Sequence, residues 1–202
     1  MMTSAAPDTE TADCIAIIVA AGSGNRAGPA PHHDTTQWGA ENKLEKQFWP
    51  LAGKPVLAHS VDVFRTHPRV KAIIIVTAPH TIERVRSDFD EPNCYVIAGG
   101  ATRQQSVHAG LMAAADIDPA SGFVAIHDAA RPLLPPALLS TMLATINDEV
   151  AGVAPALPLA DTLSCINAQQ TIDHIIDRTP IRALQTPQLL SLIHISEPTD
   201  RG

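Results

Sequence analysis

Continuous apolar runs alternate with helical patterns along this chain. Runs that are rich in β-branched residues and apolar at consecutive positions predict strands buried on both faces, as in parallel sheets. These runs occupy residues 14–21, 70–77, 95–98, 122–127 and 152–156. Because Pro155 cannot donate to a strand ladder, the last run predicts an edge strand or an irregular end.

Helices are predicted between these strands. Apolar residues recur at helical spacing over 56–65, and His67-Pro68 ends that helix. Further helices are predicted at 81–89, at 106–115 and from Pro135-Pro136 to about 149, since proline is tolerated in a first helical turn. The remaining segments predict a hairpin at 164–178, an exposed loop at 29–41 and a frayed tail at 1–13.

The alternation of strands and helices is typical of an α/β fold, in which a mostly parallel sheet carries helices on both faces. The 202 residues correspond to about one domain. In such sheets, ligands bind beyond the carboxyl ends of the strands. The site is therefore predicted in the segments that follow the strands, at 22–26, 77–79, 99–103 and 127–132.

The composition of the chain argues against two classes of partner, nucleic acids and membranes. The chain has 21 acidic and 14 basic residues, a net charge of −7, so we expect no nucleic-acid partner. Its longest apolar run, residues 14–21, is far shorter than the roughly 20 residues that span a bilayer, so we expect no membrane partner. The first residues lack the basic segment of a secretory signal, and three widely spaced cysteines indicate reduced thiols in a cytoplasmic protein.

The first predicted strand ends in a glycine-rich turn, Ala20-Ala21-Gly22-Ser23-Gly24, which is followed by Arg26. Glycines let backbone N–H groups approach a phosphate closely, and arginine adds a fixed charge. Lys46 offers a second cation. The same glycines also suit an ordinary strand-to-helix turn, and they do not complete a Walker A loop.

A dinucleotide-binding fingerprint is met only in part. Gly22, Gly24 and Ala27 have its spacing, but the fingerprint also requires an acidic residue at the end of the second strand. That strand ends in Thr77-Ala78-Pro79. The pattern therefore disfavours a dinucleotide-dependent oxidoreductase.

Two further strand ends carry polar groups. Gly99-Gly100 lets the backbone meet a ring or a phosphate, and Ser106 either hydrogen-bonds a ligand or caps the following helix. Asp128 follows the fourth strand and is placed to bind Mg²⁺ or a hydroxyl, with Arg131 holding it by an ion pair. The alternative is that Asp128 and Arg131 form a local structural pair only.

Taken together and in order, these motifs resemble the 2-C-methyl-D-erythritol 4-phosphate cytidylyltransferase family over about residues 15–188. The block His127-Asp128-Ala129-Ala130-Arg131-Pro132 is the most selective part, since other nucleotidyltransferases share the opening glycine motif. The other matching segments are 20–26, 46–48, 53–57, Gly99-Gly100 with Arg103 and Ser106, Asp161-Thr162, Asp177-Arg178 and Thr186-Pro187-Gln188.

The resemblance implies a Rossmann-like nucleotidyltransferase fold of the GT-A-like type, with a protruding β-arm at about 161–186 through which the family forms homodimers. It implies an enzyme that transfers CMP from CTP to methylerythritol phosphate with Mg²⁺ and releases pyrophosphate, in non-mevalonate isoprenoid biosynthesis. A cytidylyltransferase for another polyol phosphate, such as ribitol 5-phosphate, and a non-catalytic nucleotide-binding fragment are the alternatives.

The resemblance also implies roles for individual residues. Arg26 and Lys46 would neutralise charge at the α-phosphate, with Lys43 as the alternative lysine, and Arg178 is the third catalytic cation. Asp128, Thr162, Arg178 and Thr186 match the acceptor side, and Asp128 is also the candidate metal ligand. The nucleotide-binding positions are Ala20, Ala21, Gly22, Ser23, Gly24, Gly100, Ser106, Asp128 and Ala129.

This assignment agrees with elementary chemistry. An acceptor phosphate oxygen is already an anion, so it can attack the α-phosphorus without a general base or a covalent intermediate. The task is to bring two polyanions together, and cations with Mg²⁺ can do this. An acidic protein with a few well-placed cations and no obvious nucleophile is consistent with that chemistry.

Three features depart from the family pattern. The loop between Arg26 and Lys46 is long, with Glu45 where a proline usually precedes the lysine. Ala101 stands where an acidic residue often follows the glycine pair. The family's final helix, Thr-Asp pair and lysine-bearing strand are replaced by residues 191–202, which resemble a translation of sequencing-adaptor DNA. We therefore expect a truncated domain over 14–188 and a non-native tail from 189.

Overall fold

In the computed structural model of the protein, the described residues are 13–22, 45–119, 121–147 and 149–192. The helices are α1 (Val56–Arg65), α2 (Ile82–Asp88), α3 (Arg103–Ile117) and α4 (Pro136–Thr145), and short 3-10 turns occupy Lys46–Phe48 and Pro79–Thr81. The strands are β1 (Cys14–Ala20), β2 (Pro50–Leu51), β3 (Lys54–Pro55), β4 (Val70–Thr77), β5 (Cys94–Ala98), β6 (Phe123–Asp128), β7 (Gly152–Val153), β8 (Ala156–Pro158), β9 (Leu163–Ile166), β10 (Ile172–Ile176), β11 (Arg182–Leu184) and β12 (Gln188–Ser191).

Six strands form the central sheet, in the order β5-β4-β1-β6-β12-β7. The first four are parallel to one another, and Ile17 of β1 pairs with Ile74 of β4 on one side and Ile126 of β6 on the other. β12 runs antiparallel to both β6 and β7. The sheet is therefore mixed but mostly parallel, which confirms the predicted α/β class.

The two faces of the sheet are covered by different helices. Cys14, Ala16 and Ile18 of β1 lie in a core cluster that contains side chains of α1, α2 and α4. Ile15 and Ile17 point to the opposite face, where α3 covers them. Both faces of β1 are therefore buried, which is why its sequence is continuously apolar.

Helix α3 begins earlier than predicted. The structure starts this helix at Arg103 rather than at Ser106, because the Thr102 side chain accepts a hydrogen bond from Gln105 N while the Gln105 side chain accepts one from Thr102 N. This reciprocal capping box satisfies N–H groups that a helix start leaves unpaired. The alternative in which Ser106 caps the helix is therefore wrong.

Helix α4 ends before the predicted residue 149. Ile146 has an extended backbone and a buried side chain. The Asn147 side chain then accepts a hydrogen bond from Glu149 N at 2.9 Å. This local turn competes with helix continuation, as asparagine side chains commonly do.

The predicted strand at 152–156 is divided between two sheets. β7 joins the central sheet, while β8 pairs with β11 outside it. Pro155 lies between them without a backbone N–H, and its carbonyl accepts from Gln185 N at 2.8 Å. The irregularity expected at this proline is confirmed.

Two successive antiparallel ladders form an arm that leaves the central sheet. The first pairs β8 with β11, and the second pairs β9 with β10. The hairpin predicted at 164–178 is thus confirmed, with Ile172 opposite Ile166 in its register. We call residues 156–184 the arm.

The chain returns from the arm directly into the central sheet. The predicted boundary after Gln188 falls inside β12, where Leu189 is fully buried. Residues 193–202 lie outside the described residues, and the domain division and the non-native tail stay predictions. None of the described helices is long and apolar enough to cross a membrane. Cys14, Cys94 and Cys165 are free.

Candidate functional site at the carboxyl ends of the strands

Parallel pairing brings the carboxyl ends of four strands, β1, β4, β5 and β6, to one edge of the sheet. Ala20 at the end of β1 is in register with Thr77, and Thr77 is in register with Ala98 at the end of β5. On the other side of β1, Ala129 N donates to Val19 O at 3.0 Å. The predicted residues Ala20, Ala21, Gly22, Gly100, Ser106, Asp128 and Ala129 therefore lie at or next to one edge of the sheet. Ser23, Gly24, Arg26, Lys43 and the loop at 29–41 lie outside the described residues.

The side chain of Gln47 hydrogen-bonds the 3-10 turn at Lys46–Phe48 to the end of β1. Its Nε2 donates to Ala20 O at 2.6 Å, to Gly22 O at 3.3 Å and to Glu45 Oε2 at 3.0 Å. The side chain is buried, so these bonds are strong positional restraints. Lys46 lies on the same 3-10 turn and is exposed. Gln47 thus places Lys46 near Ala20 and Gly22, at the end of β1.

Gly99 allows an unusually close approach of the β5 end to the β1 end. A Cβ atom at this position would lie 2.5 Å from the Ala21 Cβ and 2.8 Å from Ser106 Oγ. Gly99 N also donates to Thr77 O at 2.7 Å. The absence of a side chain at Gly99 is therefore what lets Ala21 and Ser106 lie side by side.

Gly99→Ala is expected to destabilise the fold by about 1–3 kcal/mol, the usual cost of overpacking, because the added methyl group must push Ala21 and Ser106 apart. Urea unfolding measures the change. Gly22→Ala is the matched control, since a Cβ there would have no neighbour within 4 Å among the described residues. Equal effects of the two substitutions would contradict the close approach.

Ser106 organises the backbone after β5. Its Oγ accepts a hydrogen bond from Gly100 N at 3.2 Å and donates to Thr102 O at 3.0 Å. The hydroxyl is buried in the first turns of α3. Ser106 therefore holds the Gly99-Gly100 turn against the helix.

Asp128 lies between two arginines. Arg103 Nε, at the start of α3, donates to Asp128 Oδ1 at 2.9 Å, and Arg131 Nε donates to Oδ2 at 3.4 Å. Arg131 also donates to Gln185 Oε1, beyond the arm. The carboxylate thus links the ends of β5 and β6 to the return of the arm, and it is more than a partner of Arg131 alone.

His127 and Thr186 form a buried polar connection beside Asp128. Thr186 Oγ1 lies 3.2 Å from His127 Nδ1 and accepts from Asp128 N at 3.2 Å. His127 Nε2 lies 3.1 Å from Arg131 O. Burial lowers the pKa of His127 to about 4, against the weaker opposing effects of the Arg131 carbonyl and the Asp128 charge. The ring is therefore neutral at physiological pH.

The buried ring makes stability depend on pH. In the unfolded chain, His127 has an ordinary pKa of about 6.5, so below that pH the unfolded state binds a proton that the folded state does not bind. The stability of the folded state is therefore undiminished above pH 6.5 and decreases as the pH falls from 6.5 to about 4. We expect His127 to account for a loss of about 2 kcal/mol between pH 8 and pH 5. Urea unfolding of wild type and His127→Gln at both pH values measures it; identical losses in the two proteins would contradict it.

A cavity of about 360 Å³ lies next to this connection. Its polar wall contains Arg131, Gln185 and Thr186, and its apolar wall includes Leu133 and Leu157. Thr186 therefore has a side that a ligand can reach.

The arm carries the other predicted acceptor residues. Thr162 and Arg178 are exposed near the ends of β9 and β10, and Arg178 donates to Ala160 O. Among the described residues, neither side chain hydrogen-bonds to Asp128 or Thr186. The structure thus brings Thr186 to the strand-end site and leaves Thr162 and Arg178 on the arm.

The residues near Asp128 fit a magnesium ion that is shared with a bound phosphate. Mg²⁺ takes carboxylate oxygens and is commonly held by one or two carboxylates together with substrate phosphates. Over 13–22, 45–119, 121–147 and 149–192, no three His, Cys, Asp or Glu side chains form a group that could hold a metal ion. A protein-only cage is therefore not present in these ranges, and Asp128 stays the candidate for a single protein ligand.

The sequence motifs left three structural contributors without a role. Gln47 lies within the matched segment 46–48 and Gln185 lies outside the matched motifs, and in both cases the hydrogen-bond partners lie far away in the chain. Arg103 lies within a matched motif, but its pairing with Asp128 joins residues 25 positions apart. The Thr102-x-x-Gln105 spacing is the one local signal that could have located the start of α3.

Comparison with known proteins identifies relatives over most of the chain. The family model described as IspD, 2-C-methyl-D-erythritol 4-phosphate cytidylyltransferase, matches residues 14–202. The bifunctional enzyme IspD/IspF of Rhodopseudomonas palustris strain CGA009 is 38% identical over 174 residues, which are 86% of this chain and 40% of that protein. The 2-C-methyl-D-erythritol 4-phosphate cytidylyltransferase of Laribacter hongkongensis is 33% identical over 195 residues, covering 94% of this chain and 78% of that protein.

A solved structure shares the fold. The crystal structure of 4-diphosphocytidyl-2C-methyl-D-erythritol synthase from Anaerococcus prevotii superposes with a TM-score of 0.71 at 23% identity, covering 90% of this chain and 70% of that one. The chain spans about 40% of the length of the bifunctional relatives that it matches.

Proposed function

Because this chain belongs to the 2-C-methyl-D-erythritol 4-phosphate cytidylyltransferase family, we propose that it transfers CMP from CTP to methylerythritol phosphate. The products are CDP-methylerythritol and pyrophosphate, in a step of non-mevalonate isoprenoid biosynthesis. The observation that carries the proposal is the strand-end site, where Asp128 lies between Arg103 and Arg131 and beside Thr186. An anion-rich reaction needs such an arrangement of fixed charges.

The nucleotide is proposed to lie over the ends of β1 and β5. Ala20 to Gly24 and Gly100 would hold the base and the triphosphate, with Ser106 and Ala129 supporting them. Within the described part of the chain no atom lies within 4 Å of a Cβ built at Gly22, and this space and the turn held by Ser106 support the placement. Backbone N–H groups in glycine-rich turns suit phosphate oxygens.

The reaction is proposed as a direct displacement. An oxygen of the acceptor phosphate forms a bond to the α-phosphorus of CTP, the bond from that phosphorus to the β-phosphate oxygen breaks, and pyrophosphate leaves. Arg26 and Lys46 neutralise charge at the α-phosphate, while Thr162, Arg178 and Thr186 orient the acceptor. A magnesium ion, with Asp128 as its proposed protein ligand, supplies further charge neutralisation when bound.

Lys46→Ala is expected to lower kcat at least tenfold with the fold intact, because the exposed ammonium stabilises charge mainly in the transition state. Steady-state kinetics and a thermal melt measure the two effects. Lys71→Ala is the control, since that exposed lysine pairs with Asp13 near the opposite end of β1. An unchanged kcat in Lys46→Ala would reject Lys46 and leave Lys43 as the candidate.

We also propose that the arm forms a homodimer and that its Thr162 and Arg178 serve the partner's site. Ile166, Ile172 and Ile175 on the β9–β10 hairpin are each about 60% exposed. A two-stranded hairpin is only marginally stable in water, so an apolar partner surface would stabilise it. Sedimentation of wild type and Ile172→Glu tests this interface. A cytoplasmic location stays a prediction.

Pyrophosphate release tests the function itself. The protein is mixed with CTP and Mg²⁺, and methylerythritol phosphate is the only acceptor. Release supports the proposal, and release with ribitol 5-phosphate instead moves the assignment to another polyol phosphate. If no acceptor gives pyrophosphate release, the remaining interpretation is a non-catalytic nucleotide-binding fold.

A further inference from the structure

The Thr186 hydroxyl contacts two protein groups, and the same residue borders a cavity. Asp128 N donates to Thr186 Oγ1 at 3.2 Å, and Thr186 Oγ1 lies 3.2 Å from His127 Nδ1. Thr186 is also one of the residues that line the cavity described above. The direction of the hydroxyl proton therefore decides what a ligand in that cavity can offer to Thr186.

The surroundings of the ring settle where its proton lies. His127 Nε2 is 3.1 Å from Arg131 O, and a carbonyl oxygen can only accept, so Nε2 carries the proton. The ring is fully buried and packs against Phe64, with ring centroids 5.4 Å apart. Complete burial of the ring away from water favours its uncharged form. Nδ1 then has a lone pair, and Thr186 must donate its single hydroxyl proton to it.

We infer that His127 is a positioning residue, which accepts the hydrogen bond that the Thr186 hydroxyl donates and leaves Thr186 able only to accept a hydrogen bond from the acceptor substrate. A hydroxyl has one proton and two lone pairs; the proton is donated to His127 Nδ1, and one lone pair accepts from Asp128 N. The remaining lone pair requires a donor.

The group of the acceptor substrate that contacts Thr186 is therefore a hydroxyl, which can donate a hydrogen bond, and not the phosphate. A phosphate monoester loses its second proton near pH 6, so at pH 7.5 its oxygens are acceptors that Thr186 cannot satisfy. The inference rests on the proposed function, since it takes Thr186 to face the acceptor. It places the polyol end against Thr186 and leaves the phosphate to the cations.

Imidazole nitrogen NMR tests the first step without turnover. His127 is assigned by comparing ¹⁵N-histidine spectra of wild type and His127→Gln at pH 7.5. We expect Nε2 protonated and Nδ1 unprotonated, with the Nδ1 resonance shifted in Thr186→Val and restored in Thr186→Ser. A ring protonated on Nδ1, or an Nδ1 resonance indifferent to Thr186→Val, overturns the inference.

Kinetics test the second step. Thr186→Val should raise KM for methylerythritol phosphate about tenfold, the size of one lost hydrogen bond, and leave KM for CTP within about twofold. Thr186→Ser should recover the wild-type KM. His127→Gln should act like Thr186→Val, because its amide reaches the Nε2 position only. His127→Asn places an acceptor near the Nδ1 position and should recover most of the effect. Equal rises in KM for the two His127 variants would indicate a structural role and overturn the inference.

Deoxy acceptors identify the group that meets Thr186. One monodeoxy analogue of the acceptor should lose about tenfold in kcat/KM with wild type and show no further loss with Thr186→Val. If every analogue remains sensitive to Thr186→Val, the phosphate is the group at Thr186 and the inference fails while the proposed function stands. If wild type releases no pyrophosphate with methylerythritol phosphate, the proposed function fails, and the NMR result alone supports or overturns the role of His127.

Discussion

Phe64→Ala is expected to lower the free energy of unfolding by about 3–5 kcal/mol, the usual cost of removing a buried aromatic side chain. Phe64 of α1 is fully buried in the core cluster between the sheet and α1, α2 and α4. Its ring also packs against His127, so the substitution leaves a cavity next to the residue that holds Thr186. Urea unfolding at pH 7.5 measures the loss.

The control for Phe64→Ala is Leu133→Ala. Leu133 is 84% exposed, so its truncation should change stability by no more than about 0.5 kcal/mol. Phe64→Leu should fall between the two, since it refills most of the volume. A loss below about 1 kcal/mol in Phe64→Ala would show that the α1 face of the sheet is not packed as described.

Asp128→Asn is expected to lower kcat/KM about 100-fold while the melting temperature falls by no more than about 4 °C. The substitution keeps the shape of the side chain and removes the charge that holds Arg103 and Arg131 in place and that would bind a metal ion. The effect on stability is small because the side chain and its partners are partly exposed, and such pairs contribute about 0–1 kcal/mol.

Asp62→Asn is the matched control for Asp128→Asn. Asp62 also lies between two cations, Lys54 and Arg65, and its side chain is 30% exposed, compared with 31% for Asp128. It belongs to α1 and lies outside the strand-end site. Both variants should therefore lose similar stability, and only Asp128→Asn should lose activity. A large fall in melting temperature with normal activity in Asp128→Asn would favour the local structural pair.

The central parallel strands were predictable because their environment is symmetric. A strand covered on both faces is apolar along most of its length, so the run at 70–77 coincides with β4. The helical spacing of apolar residues over 56–65 likewise coincides with α1. The first residue of α3 and the last residue of α4 were predicted wrongly because side-chain hydrogen bonds of Thr102, Gln105 and Asn147 decide them. Those hydrogen bonds involve polar side chains, so they leave no trace in the pattern of apolar residues.

The sequence by itself determined the α/β class, the alternation of strands and helices, and the edge of the sheet at which chemistry is expected. Only the tertiary structure decided how that edge is completed. β12 enters the sheet antiparallel beside β6 and carries the chain past His127, so that Thr186 meets a residue 59 positions earlier. Hydrophobic periodicity reports which face of an element is buried and carries no information about its partners. The contacts among Arg103, Asp128, His127 and Thr186 therefore appear only when the strands are paired.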